Sequence, residues 1–94
     1  SLSSVGGAVE ALARAVAPEI KPRRINVVSP GSIDTPMMPL EGEERAQAYK
    51  NMTADNLIPR AGTADEVAQG ILFVIQNDFV TGTTVDVDGG WLLS

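Results

Sequence analysis

The run Arg24-Ile25-Asn26-Val27-Val28-Ser29-Pro30-Gly31-Ser32-Ile33-Asp34-Thr35-Pro36-Met37 holds the residues best suited to chemistry in this chain. A β-branched stretch leads into Pro30-Gly31 and then a polar loop. That is the form of a ligand-binding loop at the carboxyl end of a buried strand. Gly31 would let backbone approach a ligand closely. Ile33 would offer an apolar surface to a ring face, and Thr35 a hydroxyl. An ordinary strand-to-loop turn has the same outline, so the flanking elements must decide.

Other candidates are weaker. Asp86 and Asp88 put two carboxylates on one face of a strand, but no third ligand stands near them. Polar residues at a strand end are the better reading than a metal site. Glu41, Glu43 and Glu44 read as a solvated helix start, favoured by the macrodipole. Tyr49, the only tyrosine, reads as a packing residue. Lys21, Arg23 and Arg24 read as a solvated turn. The chain has no cysteine and no histidine. That removes disulfides, thiolate chemistry and the commonest general base from these residues.

Charge and composition narrow the partners. The net charge is −5. Residues 1–24 hold four basic and two acidic groups, and the remainder three basic and ten acidic. An acidic chain without a dense basic patch argues against nucleic acid. No apolar run approaches about 18 residues, so no membrane span is expected. No charged-then-apolar leader opens the chain, and a cytoplasmic setting is the default expectation. With 94 residues, 44% hydrophobic and 4% aromatic, this is one small domain or a piece of a larger one.

The elements that must position the loop follow from periodicity. Val5, Val9, Leu12 and Val16 line one face of a helix from about Val5 to Val16, with Ser3 or Ser4 as its cap. Pro18 ends or kinks it. Arg24 to Ser29 is expected to be a strand buried on both faces, as in a parallel sheet. Residues 30–40 carry three prolines and are expected to be irregular. A helix follows from Glu41 to about Met52, with Ala46, Tyr49 and Met52 on one side. Thr63 and Glu66 form a capping box. Val67, Ile71, Val74 and Ile75 then stripe a helix to about Gln76. Thr84 to Asp88 is the last strand, and Trp91, Leu92 and Leu93 form an apolar tail expected to tuck against a neighbour.

Two strands joined through helices imply a parallel pair with a crossover. Two parallel strands are too few for an independent sheet, and an open edge invites another strand. The expected fold is α/β: the C-terminal portion of a doubly wound parallel Rossmann sheet, ordered helix, strand, loop with helix, helix, strand.

With the segments placed, the chain resembles the C-terminal part of a short-chain dehydrogenase/reductase. "AVEALARAVAPEI" resembles the helix after that family's active-site tyrosine and lysine. "RINVVSPGSIDTPM" resembles its sixth strand and nicotinamide loop. "IPRAGTADEVAQGILFVI" and "FVTGTTVDVDGG" resemble its last helix and strand. The order and spacing of the four segments make the resemblance specific, and it covers nearly the whole chain.

The resemblance implies an oxidoreductase that uses NAD or NADP on a small-molecule substrate. It implies that Pro30 and Gly31 turn the chain under the nicotinamide. The Ile33 backbone would then bond the carboxamide, and Thr35 the carboxamide or a phosphate. Residues 36–58 would form the substrate lid, where Met37, Met38 and Met52 suit an adaptable pocket. All of residues 1–94 would belong to one incomplete Rossmann-type domain. The family also implies a homo-oligomer, or association with a missing N-terminal half. Val67, Ile71 and Val74, with the tail Trp91 to Leu93, are the expected contact surface.

Two departures limit this. Aligning "AVEAL" places Leu2 at the tyrosine position and Gly6 at the lysine position. Neither transfers a proton, so the chain contains no catalytic residue by this alignment. The glycine-rich phosphate turn is also absent from these residues. The chain alone is therefore not expected to bind dinucleotide tightly or transfer hydride. A non-catalytic relative acting through assembly, or a self-standing α/β binding module, remain the competing expectations.

Overall fold

The computed structural model describes residues 4–91, without the side chains of Ser4 and Val5. Leu2, Ser3, Leu92 and Leu93 lie outside the described residues, so the serine cap and most of the tail do too.

Helix α1 (Ser4–Val16) runs into a 3₁₀ turn (Ala17–Glu19), where Pro18 cannot continue an α-helix. Strand β1 (Val27–Pro30) and a two-residue β2 (Ile33–Asp34) follow. Helix α2 (Gly42–Met52) leads to a short β3 (Gly62–Thr63), then α3 (Ala64–Gln76) and β4 (Thr84–Val87). β1 and β4 pair in parallel, with Val28 opposite Val85 and Pro30 opposite Val87. β2 and β3 form a second parallel pair, Ile33 opposite Gly62. This second pair breaks the irregular stretch expected over residues 30–40. It is too short to leave a hydrophobic period.

Helix α3 starts as its sequence requires. The Thr63 hydroxyl accepts from the Glu66 backbone N–H at 3.1 Å, and Glu66 Oε1 accepts from the Thr63 N–H at 2.9 Å. These bonds satisfy two donors that a helix start leaves unpaired. Its other end is capped from a distance. The Arg24 guanidinium donates to the carbonyls of Val74 at 2.6 Å, Ile75 at 2.7 Å and Val80 at 3.0 Å. Arg24 is therefore not the solvated turn residue that its basic neighbours suggested. Its partners lie far along the chain and leave no local trace.

The helices meet the sheet with small residues. A Cβ on Gly70 would lie 2.9 Å from Val87 Cγ2 and 3.7 Å from Val28 Cγ1, so only glycine lets α3 sit this close. Val74, on the same face, is buried and Val67 half-buried. Ile71, Leu72, Phe73 and Ile75 are exposed. On α1 it is Ala13 that is buried, whereas Val9 and Leu12 are exposed. The apolar stripe of α3 is thus split between the sheet and solvent, and Val9 and Leu12 of the α1 stripe face solvent. Periodicity finds the apolar face of a helix, not the neighbour that it meets.

The core is correspondingly thin. Among the described residues the buried apolar side chains are Ala13, Tyr49 and Val74. β1 is only half-buried, against the expectation of burial on both faces, and among the described residues β4 alone pairs with it, which leaves its other edge open. The accessible surface is 6680 Å², against about 5,200 Å² for a typical folded monomer of this mass. The radius of gyration is 15.2 Å, against about 12 Å for a compact domain of this length.

Candidate functional site

The loop after β1 is built by the ends of two strands. The Gly31 N–H donates to the Val87 carbonyl at 3.0 Å, extending the β1–β4 ladder. A Cβ on Gly31 would lie 2.8 Å from Asp88 Cα and Cβ. The glycine is therefore required by the neighbouring strand, whatever ligand the loop meets. Pro30 ends β1 and is exposed.

Ile33 and Thr35 are held from α2. The Tyr49 hydroxyl donates to the Ile33 carbonyl at 3.2 Å. Arg45 Nη2 donates to the Thr35 carbonyl at 2.8 Å. Arg45 also pairs with the Asp34 carboxylate through Nε at 3.1 Å and through Nη2. Its Nη1 reaches the carbonyls of Met38 and Leu40, each at 3.1 Å. The guanidinium lies 5.6 Å from the Tyr49 ring centroid, in cation–π range. The Asp34 hydrogen bond, the largest influence, holds Arg45 above its ordinary arginine value.

Tyr49 is buried, as a packing residue should be. Thr53 below it is wholly buried, and its hydroxyl donates to the Tyr49 carbonyl at 2.8 Å. The far end of residues 36–58 docks on the end of β4. The Ile58 N–H donates to the Gly89 carbonyl at 2.8 Å, and Asn56 Nδ2 to the Asp88 carbonyl at 3.4 Å. Gly89 and Gly90 have φ of 65° and 82°. A Cβ on Gly90 would lie 2.9 Å from Leu57 side-chain atoms. Both conformation and space demand glycine there.

A recess of about 340 Å³ lies between these elements; its lining includes Gly6, Ser29 to Ser32, Met52, Asn56 and Trp91. That is near the lower limit for small-molecule sites, so it suits one ring and not a whole dinucleotide. Asp86 and Asp88 also line it. Two carboxylates there disfavour an anionic group but not a neutral or cationic ring. Pro30 and Gly31 thus border a recess suited to a ring without negative charge. Ile33 lines a neighbouring recess of about 290 Å³ with Ser32, Arg60, Gly62 and Glu66. There Arg60 Nη2 pairs with Glu66 at 2.9 Å. That pairing, with the Thr63 N–H second, lowers the Glu66 carboxyl to about 2.

Asp88 Oδ1 accepts from the Gly90 N–H at 2.9 Å, so one member of the carboxylate pair shapes a turn. No group of three or more potential metal-ligating side chains occurs among the described residues. No helix among them is long and apolar enough to cross a membrane. Val67 and Val74 of the expected contact surface pack toward the sheet. Ile71 and Trp91 of that surface are exposed, and Leu72, Phe73 and Ile75 extend the outward face. Sequence reasoning missed Asp34 and Arg45. The one local signal was Arg45 four residues before Tyr49, the spacing of a helical cation–π pair.

Comparison with known proteins covers the whole of this site. Residues 3–92 match the family described as enoyl-(acyl carrier protein) reductase. The short-chain dehydrogenase/reductase ATR9 of Stachybotrys chlorohalonatus is 36% identical over 98% of this chain and 36% of its own length. A crystal structure of a small-chain dehydrogenase in complex with NADPH superposes with a TM-score of 0.83 at 35% identity, covering 97% of this chain and 42% of that one. The MalC reductase/Diels-Alderase of Malbranchea aurantiaca gives 0.83 at 31% identity, over 94% and 34%. The chain spans about a third of the length of the curated relatives it matches.

Proposed function

The chain belongs to the short-chain dehydrogenase/reductase family, and from that premise we propose that it is part of an NAD(P)-dependent oxidoreductase acting on a small molecule. Its share of the work is the nicotinamide-side loop, the substrate lid and contacts to other protein surface. The observation that carries this is the loop itself. Pro30 to Thr35 leaves β1 at its carboxyl end, where open α/β sheets bind ligands, and flanks a ring-sized recess.

In this reading the bound cofactor supplies the hydride, and residues outside this chain hold its phosphates. Pro30 and Gly31 turn beneath the nicotinamide. The Ile33 backbone and Thr35 orient the carboxamide. Met52, Asn56 and Trp91 bound the space next to it. The thin core supports a chain that completes its packing against further surface of the same protein or of a second copy. The exposed residues of α3 are the surface best suited to that contact.

A second reading rests on Leu2 and Gly6. They stand where the family's tyrosine and lysine are aligned, so the usual proton donor has no counterpart here. A protein that binds NAD(P) without turnover is the consequence if no other residue supplies that proton. The test is an assay of the full-length protein carrying this chain. NADPH and NADH binding and oxidation are measured with a panel of carbonyl substrates. Turnover with either cofactor supports the first reading. Binding without turnover supports the second, and no binding of either cofactor removes both.

A further inference from the structure

We propose that Arg45 is a positioning residue that locks the lid helix to the nicotinamide loop, so that loop and lid meet the cofactor as one body. The inference rests on the reading of Pro30 to Thr35 given above.

One guanidinium serves four separate loop groups. They are the Asp34 carboxylate and the carbonyls of Thr35, Met38 and Leu40. Tyr49, one helical turn on, adds the Ile33 carbonyl. Within residues 33–40, Ile33, Asp34, Thr35, Met38 and Leu40 are therefore each bonded to one of two side chains of α2. The loop has little else to order it. Pro36 and Pro39 lack a backbone N–H. The one backbone bond within it outside the strands is Met38 N–H to the Thr35 carbonyl, 3.1 Å.

An isolated surface ion pair would contribute little. This one differs in geometry. All of Nε, Nη1 and Nη2 have partners, which is what the planar fork of arginine provides and a lysine ammonium does not. The Tyr49 ring centroid lies 5.6 Å from that fork, in cation–π range. At the other end of the lid, Asn56 and Ile58 bond to the Asp88-Gly89 turn. The segment from Ile33 to Ile58 is thus tied to α2 within itself and to β4 at its end. A lid held this way does not swing free of the loop. Two of the residues proposed to orient the nicotinamide, Ile33 and Thr35, hold their carbonyls in place through it.

The test compares the full-length protein with its Arg45→Met and Arg45→Lys variants. Amide exchange over residues 33–40, NADPH and NADH affinity by fluorescence titration, and thermal unfolding are followed together. Arg45→Met is expected to speed exchange across 34–40 and to weaken the preferred cofactor roughly ten-fold. Arg45→Lys should be nearly as impaired, and the unfolding midpoint should move by less than about 3 °C. A double variant with Asp34→Asn should be no worse than Arg45→Met alone. Unchanged exchange in Arg45→Met would overturn the proposal, as would full recovery in Arg45→Lys. So would a lowered midpoint with cofactor affinity intact, the mark of a purely structural residue. If the parent protein binds neither cofactor while Arg45→Met still speeds loop exchange, the lock stands and the cofactor reading falls.

Discussion

Residues 32–62 are tied together by polar contacts, whereas α1 and α3 meet the sheet through small residues and turn large apolar side chains outward. In the first region Arg45, Tyr49, Thr53 and Asn56 each have a defined partner, and Thr53 is wholly buried. In the second, Leu12 is 64% exposed and Phe73 50%. The difference teaches that the site's geometry is local and the scaffold's stability is not. Hydrogen bonds between nearby segments shape the loop. Burial of apolar surface, the main driving force of folding, is left incomplete in both regions: Met37 is 92% exposed and Leu57 62%.

Substitutions can break or sharpen that contrast. The largest effect is expected at the joint between the regions. Gly90→Val combines a left-handed backbone with a clash against Leu57 and should cost roughly 2–4 kcal/mol. Urea unfolding would measure it, and a cost near zero would mean that the lid does not dock on β4.

Next comes the α3 cap. Thr63→Ala removes the acceptor for the Glu66 N–H and should cost about 1 kcal/mol by the same measurement. The partner carboxylate adds a pH dependence with a definite sign. Glu66 is lowered from 4.5 to about 2, first by Arg60 and then by the Thr63 N–H. A depressed carboxyl stabilises the fold above its unfolded value and loses that contribution on protonation. The start of α3 should therefore weaken as pH falls from about 4.5 towards 2. Glu66→Gln should flatten that dependence in an acid titration followed by circular dichroism.

The smallest effect on stability is expected from the exposed helix face. Phe73→Ser should change the unfolding free energy of this chain by no more than about 0.5 kcal/mol. It should nevertheless weaken association in sedimentation experiments if that face meets another protein surface. A large loss of stability from Phe73→Ser would show that the face is already packed within the chain.

Much of the fold was legible in the sequence. Pro18, the Thr63–Glu66 box and the Pro30-Gly31 turn marked boundaries through local chemistry. The parallel β1–β4 pair followed from strands separated by helices. Other features were not legible because their causes are distant. Arg24 caps α3, and Gly62 pairs with Ile33, across long stretches of chain. The contacts of α1 and α3 with the sheet were not read because Ala13 and Gly70 are chosen for closeness, which hydrophobic period does not register. At the site, Pro30 and Gly31 share a recess, Ile33 sits in β2 and lines the neighbouring one, and Thr35 lines neither. Asp34 and Arg45, which hold the loop, were not singled out, because the fold and not a local pattern brings them together.

The central claim is that this loop meets the nicotinamide while the rest of the cofactor is held elsewhere. Amide exchange on the full-length protein tests it most directly, with NADPH compared against 2′-phospho-ADP-ribose, which lacks the nicotinamide. The expected result is slowed exchange over residues 32–38 with NADPH and little change there with the truncated ligand. Equal protection by both ligands, or none by either, would contradict the account.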